Sequence, residues 1–142
     1  MKSFLVIVGV LAFANAGTFV ENKLRAEVGQ NCDPSLNVYH INKATADPWP
    51  PAKNEDIKIS GTGTINQDVA FASLEVFAKY QGFDFDHKSV PQSGSYKVGD
   101  TAVISTTLNV PSISPPGHYS VQLKVKDTAG NYLNCWEVQF DL

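Results

Sequence analysis

The side chains that could do chemistry here are three histidines, two cysteines and one acid–imidazole cluster. A metal site draws His, Cys or carboxylate ligands at short, regular spacings. His40, His87 and His118 are scattered without such spacing and read as surface residues. The cluster "DFDH" at 84–87 is different, because strict alternation along a strand puts Asp84 and Asp86 on one face. A carboxylate pair could run acid–base chemistry or hold a weak calcium ion. The plainer reading is the solvent face of a strand whose other face is Phe83 and Phe85. No G-x-S-x-G elbow and no phosphate-cradling glycine loop occurs, and "GTG" at 61–63 reads as a bulge or bend in a strand. The residues therefore predict no enzyme, no metal and no cofactor.

The cysteines take their meaning from the first residues. Lys2, the apolar run "FLVIVGVLAFA" and the small-x-small "ANA" at 14–16 have the form of a secretory signal peptide over 1–16. The run is too short to span a bilayer as a helix, which needs about 20 residues. Residues 17–142 then make one domain, large enough to bury a core. Without Lys2 the 11 basic side chains become 10 against 14 acidic ones, a formal charge of −4 with no basic patch, which argues against nucleic acid. Secretion places Cys32 and Cys135 in an oxidising compartment, which favours a disulfide over two unrelated buried thiols. No N-glycosylation sequon is present.

The elements that would position these residues are strands. Tyr119, Val121, Leu123 and Val125 alternate with polar partners, "DTAGN" supplies a turn, and Trp136, Val138 and Phe140 resume the alternation, so 119–140 reads as a hairpin. Upstream, a strand runs around Val38–Ile41 and is broken by "DPWPP". Ile57 and Ile59 alternate into Gly61, and a long segment from Val69 to Tyr80 follows. Ala102, Ile104, Thr106, Leu108 and Val110 share one parity. Pro111, Pro115 and Pro116 exclude 111–117 from a central strand. No helical period persists. The prediction is an all-β, immunoglobulin-like sandwich of about seven antiparallel strands, with a barrel as runner-up.

The last third, "VPSISPPGHYSVQLKVKDTAGNYLNCWEVQFDL", resembles the ML (MD-2-related lipid-recognition) domain family, which includes phosphatidylglycerol/phosphatidylinositol transfer proteins and the Niemann-Pick type C soluble sterol carrier. The resemblance rests on a proline-containing loop, Gly117-x-Tyr119, the alternating strand, Asp127 before the Gly130 turn, and Leu133-x-Cys135 ahead of an aromatic end strand. "CWE" at 135–137 is similar to the sterol-carrier branch and "PPGHYSVQLKVKDTAGN" to the phospholipid-transfer branch. The family pairs its early cysteine with its late one, as expected for Cys32 and Cys135. It commonly carries two further disulfides, near 45–55 and just before 101–110. This chain has no cysteine at either place, and Val90-Pro91 stands where the family has Cys-Pro.

The resemblance implies two sheets held apart around an apolar cavity for one phospholipid or sterol, in a secreted monomer of the extracellular or endolysosomal lumen that touches membranes transiently. Parity proposes the cavity residues. Tyr119, Val121, Leu123, Trp136, Val138 and Phe140 form one wall, continued by Ile104, Leu108 and Val110. Leu74, Val76 and Tyr80 come from the long segment, and Phe83, Phe85, Ile113 and Pro115 from loops flanking the opening. Ordinary core packing is the alternative for each. The competing function is an immunoglobulin-like recognition domain with a filled core and a protein partner. Against a true immunoglobulin domain, Trp136 follows the late cysteine instead of lying between the two.

Overall fold

The computed structural model describes residues 24–142, so the expected signal peptide lies outside the described residues. The strands are β1 (Leu24–Glu27), β2 (Gln30–Asn31), β3 (Tyr39–Trp49), β4 (Asp56–Ile65), β5 (Val69–Tyr80), β6 (Phe83–Tyr96), β7 (Thr101–Asn109), β8 (His118–Asp127) and β9 (Trp136–Asp141). They form a four-stranded sheet in the order β1-β3-β4-β7 and a five-stranded sheet in the order β2-β9-β8-β5-β6, with all pairings antiparallel. The count exceeds the expected seven because β1 and β2 are only 4 and 2 residues long, too short to show alternation in sequence.

Alternation decides what is buried. In β4 Ile57, Ile59 and Ile65 turn inward, in β7 Ala102 and Ile104 do, and in β8 Tyr119, Val121, Leu123 and Val125 do. Two bulges change the parity within a strand, since an extra residue flips the side chains that follow it. One between Ile41 and Lys43 lets Tyr39, Ile41, Ala44 and Ala46 all face inward; one between Phe71 and Ser73 does the same for Phe71, Leu74 and Val76. Phe71 thus joins the parity from which simple alternation excludes it.

One end of the sandwich is filled. Tyr39, Phe71 and Tyr96 pack in series, edge-on and then tilted, with ring centroids 5.3 and 4.7 Å apart. The Tyr39 hydroxyl donates to the Ala102 carbonyl at 2.8 Å, and burial pushes its phenol well above the usual tyrosine range. An added Cβ at Gly63 would collide with the His40 carbonyl oxygen, so "GTG" serves close strand packing, while the bulge lies opposite it on β3. Below this end, Cys32 and Cys135 form a disulfide with Cα atoms 5.1 Å apart. Cys32 follows β2, which pairs with the last strand, and does not share a strand with Val38–Ile41. β3 also runs through Pro48 to Trp49, so the break falls at Pro50 and not at Asp47.

Candidate functional site

The other end of the sandwich is open. β5 turns into β6 through Gln81 and Gly82, both at positive φ (52° and 84°), the conformation of a two-residue type I′ hairpin turn, in which glycine is favoured. β6 stays paired with β5 along its length, but its exposure changes. From Val90 to Tyr96 its even-numbered residues are half-buried, but Phe83–Ser89 are exposed throughout. This first half overhangs the edge of the sheet, facing β7 across a gap. Phe83 and Phe85 are therefore strand residues of an overhanging edge, a correction of their expected place in loops.

Between the sheets at this end lies a cavity of about 650 Å³. Its five-stranded wall is Val76, Ala78 and Tyr80 of β5, Tyr119 and Val121 of β8, and Phe140 of β9. Leu108 and Val110 face them from the four-stranded side, so β7 supplies the opposite wall and does not continue the first, as parity alone had suggested. Pro111, Ile113 and Pro115 of the 110–117 loop, together with Phe85, frame the mouth. Ten of the residues singled out by sequence thus meet at one cavity: Val76, Tyr80, Phe85, Leu108, Val110, Ile113, Pro115, Tyr119, Val121 and Phe140. Val138 borders a neighbouring void of only about 10 Å³. Leu74, Ile104 and Leu123 are packed into the filled half; Trp136 is buried there too, its indole N–H donating to the Val28 carbonyl at 3.2 Å. Phe83 is 77% exposed and lies outside the cavity lining.

The mouth is organised by aromatic rings. Tyr119 stacks on Phe140 at 5.4 Å, tilts against Tyr80 at 4.9 Å and meets Phe85 edge-on at 6.0 Å. Two phenols fasten the loop over them: Tyr119 donates to the Pro115 carbonyl at 2.6 Å and Tyr80 to the Pro116 carbonyl at 2.8 Å. Burial, with the neighbouring Tyr80, pushes the Tyr119 phenol up, so it stays a hydrogen-bond donor at physiological pH. Sequence reading named both tyrosines as apolar wall and missed this polar task, because their acceptors are proline carbonyls that carry no side-chain signal.

Polar residues also enter the lining: Asp86 and Lys88 of β6, Asn109 at the end of β7, Ser114 of the loop and Ser120 of β8. Of these only Asp86 stood out in sequence, as half of a carboxylate pair and not as a cavity residue. A bulge between Ala78 and Lys79 explains the first two, setting Asp84 opposite Lys79 and Asp86 opposite Ala78. Asp84 comes within 3.9 Å of the Lys79 ammonium, while Asp86 borders the cavity. The two aspartates are therefore split between faces, which corrects their expected pairing on one face. Lys88, two residues on from Asp86, reaches across the gap and donates to the Thr107 carbonyl of β7 at 3.2 Å.

His87 points away from the cavity. Its Nε2 lies 2.8 Å from Glu75 Oε1, and its ring stacks on Phe77 at 4.3 Å. Glu75 Oε2 accepts from the Ser73 and Ser89 hydroxyls, both at 2.6 Å. His118 pairs with Asp141 at 2.8 Å, and the His40 side chain is exposed. Among the described residues no cluster of His, Cys, Asp and Glu is arranged to hold a metal ion.

The profile of the ML domain family matches residues 28–142. A Dictyostelium discoideum protein provisionally named a phosphatidylglycerol/phosphatidylinositol transfer protein is 24% identical, with 100% of this chain and 98% of that protein covered. A second protein of the same organism and provisional name is 25% identical over 82% of this chain and 86% of its own length. Among solved structures, a Niemann-Pick type C2 protein from the Japanese carpenter ant superposes with a TM-score of 0.63 at 14% identity, covering 80% of this chain and 98% of its own. The C-terminal domain of wzt superposes with a TM-score of 0.58 at 13% identity, over 82% and 81%. At such identities the superpositions speak for the sandwich fold alone, whereas the family profile spans nearly every described residue. The relatives are named for lipid transfer and not for catalysis, and the chain belongs to the ML domain family.

Proposed function

We propose that the protein is a lipid carrier: it takes one phospholipid or sterol into the cavity between its sheets, shields the hydrocarbon from water and releases it at a membrane. The observation that carries this reading is the apolar, one-ended cavity of about 650 Å³, within the roughly 300–1,000 Å³ typical of small-molecule sites. Each methylene moved from water into such a space contributes roughly 0.8 kcal/mol, so an acyl chain or sterol body is held without specific contacts. Release requires no bond to be made or broken.

Phe83, Phe85 and Ile113 stand 77%, 58% and 89% exposed at this end of the molecule. Apolar side chains ringing a mouth suit brief insertion at a bilayer interface, where the lipid can pass without crossing water. The signal-like first residues and the disulfide favour a secreted or endolysosomal protein. A filled sandwich serving only as a recognition module would have no use for the cavity.

Native mass spectrometry of the protein purified from its own secretory pathway tests the reading. The expected result is a one-to-one lipid adduct that organic solvent removes, and transfer of a fluorescent lipid between vesicles. Protein that carries no lipid, and takes up neither phospholipid nor sterol analogues, would refute it.

A further inference from the structure

Asp86 and Lys88 are the two charged side chains among those that border the cavity, and they have opposite signs. Both belong to the overhanging half of β6, paired in register with Ala78 and Val76 of the apolar wall. As residues i and i+2 of a strand they share a face about 7 Å apart along the backbone. Among the described residues neither joins an ion pair, although Lys79 and Asp84, close by on the other face, pair with each other. The Lys88 ammonium spends one of its three donors on the Thr107 carbonyl, which holds it across the gap between the sheets with two donors free. One Asp86 oxygen, Oδ1, accepts the His87 backbone N–H at 3.0 Å, which fixes the carboxylate beside the mouth.

We propose that Lys88 and Asp86 read the headgroup of the bound lipid and select a zwitterionic glycerophospholipid, with its phosphate on Lys88 and its ammonium on Asp86. This rests on the carrier reading above and specifies its ligand. The argument is one of matching charge. A headgroup with a lone negative charge satisfies Lys88 but approaches the Asp86 carboxylate, and specificity arises as much from such a repulsion as from an attraction. A sterol hydroxyl leaves both charges unanswered, whereas a phosphoethanolamine or phosphocholine headgroup answers both. The other polar lining residues, Asn109, Ser114 and Ser120, are neutral and discriminate little by charge.

The test loads the full secreted chain from vesicles containing phosphatidylethanolamine, phosphatidylglycerol and diacylglycerol with identical acyl chains, plus cholesterol, and weighs the bound species by native mass spectrometry. Phosphatidylethanolamine is expected to exceed phosphatidylglycerol by about fivefold, the scale of one partly exposed charge interaction. Asp86→Asn should bring the two phospholipids level. Lys88→Met should lower both by about fivefold relative to diacylglycerol, and Lys88→Arg should keep the wild-type order. Both side chains are exposed, so neither change threatens the fold. Soluble glycerophosphoethanolamine carries the same charges without chains and should not displace the lipid; displacement by it would make a free headgroup the occupant and overturn the assignment. So would a wild-type protein that prefers phosphatidylglycerol or cholesterol, or an Asp86→Asn ratio equal to wild type. Each of those outcomes leaves the carrier standing, whereas a protein that takes up none of the four lipids refutes the carrier itself.

Discussion

Glu75 is a charged residue at the centre of β5, only 4% exposed, on the face of the sheet turned away from the cavity. Burial by itself would raise its pKa. Hydrogen bonds from Ser73, Ser89 and His87, with the nearby Lys126 charge, outweigh that and bring it from the usual 4.5 down to about 2. A carboxyl whose folded pKa is depressed adds stability above its unfolded pKa, and loses that contribution as the pH falls through the folded one. Urea unfolding followed from about pH 5 to about pH 2 should therefore show a progressive loss that is absent in Glu75→Gln. At neutral pH the same substitution should cost about 1 to 3 kcal/mol, because the amide offers one acceptor oxygen where the carboxylate had two taking three bonds. A Glu75→Gln protein as stable as wild type at neutral pH would show that the cluster is a bystander.

At the scale of elements, the 110–117 loop frames the mouth and is tied to the sheet by the phenols of Tyr80 and Tyr119. Tyr80→Phe with Tyr119→Phe removes both anchors and leaves the ring contacts in place. Each lost bond should cost about 0.5 to 1.5 kcal/mol. Amides of the 110–117 loop should then exchange hydrogen faster, and bound lipid should leave faster, with the filled end of the sandwich unaffected. Unchanged exchange in the loop would mean that the two hydrogen bonds do not hold it. Across the sandwich the β8–β9 connection is secured differently: buried Asn134 accepts the Val125 N–H at 2.8 Å and donates to the Leu123 carbonyl at 3.3 Å, standing in for backbone that β9 has yet to supply.

For the molecule as a whole, the disulfide and the cavity act at opposite ends. The bridge spans 103 residues of sequence, and closing a loop of that length is worth up to about 4.7 kcal/mol in the chain-entropy account. Replacing Cys32 and Cys135 together by serine should lower the denaturation midpoint, equivalent to about 2 to 5 kcal/mol, and make stability insensitive to reductant. The cavity tolerates the opposite kind of change. Ala78 lies on its wall, so Ala78→Trp should fill space that is otherwise empty, hold or raise the melting temperature and abolish lipid uptake. Melting temperature and fluorescent-lipid binding, measured on the same sample, check both halves of that expectation. A tryptophan variant that still loads lipid normally would place the ligand elsewhere.

Alternation along Tyr119–Val125 and Trp136–Phe140, the proline-marked loop at 111–117 and the two cysteines behind a signal-like start were sufficient to indicate a disulfide-bridged sandwich, because strand burial follows the period-two geometry of the backbone. Of the ten proposed residues at the cavity, Val76, Tyr80, Leu108, Tyr119, Val121 and Phe140 are there for the same reason, since strand parity is written locally, while Phe85, Val110, Ile113 and Pro115 come from an exposed edge and from the loop. Sequence could not say which sheet a strand joins, so β7 changed walls, nor where a bulge resets parity, so Asp84 and Asp86 parted and Phe71 turned inward. It could not divide the apolar residues between the filled end, which took Leu74, Ile104, Leu123 and Trp136, and the hollow one. That division depends on where two sheets diverge, a property of long-range pairing and register that no local pattern of side chains encodes.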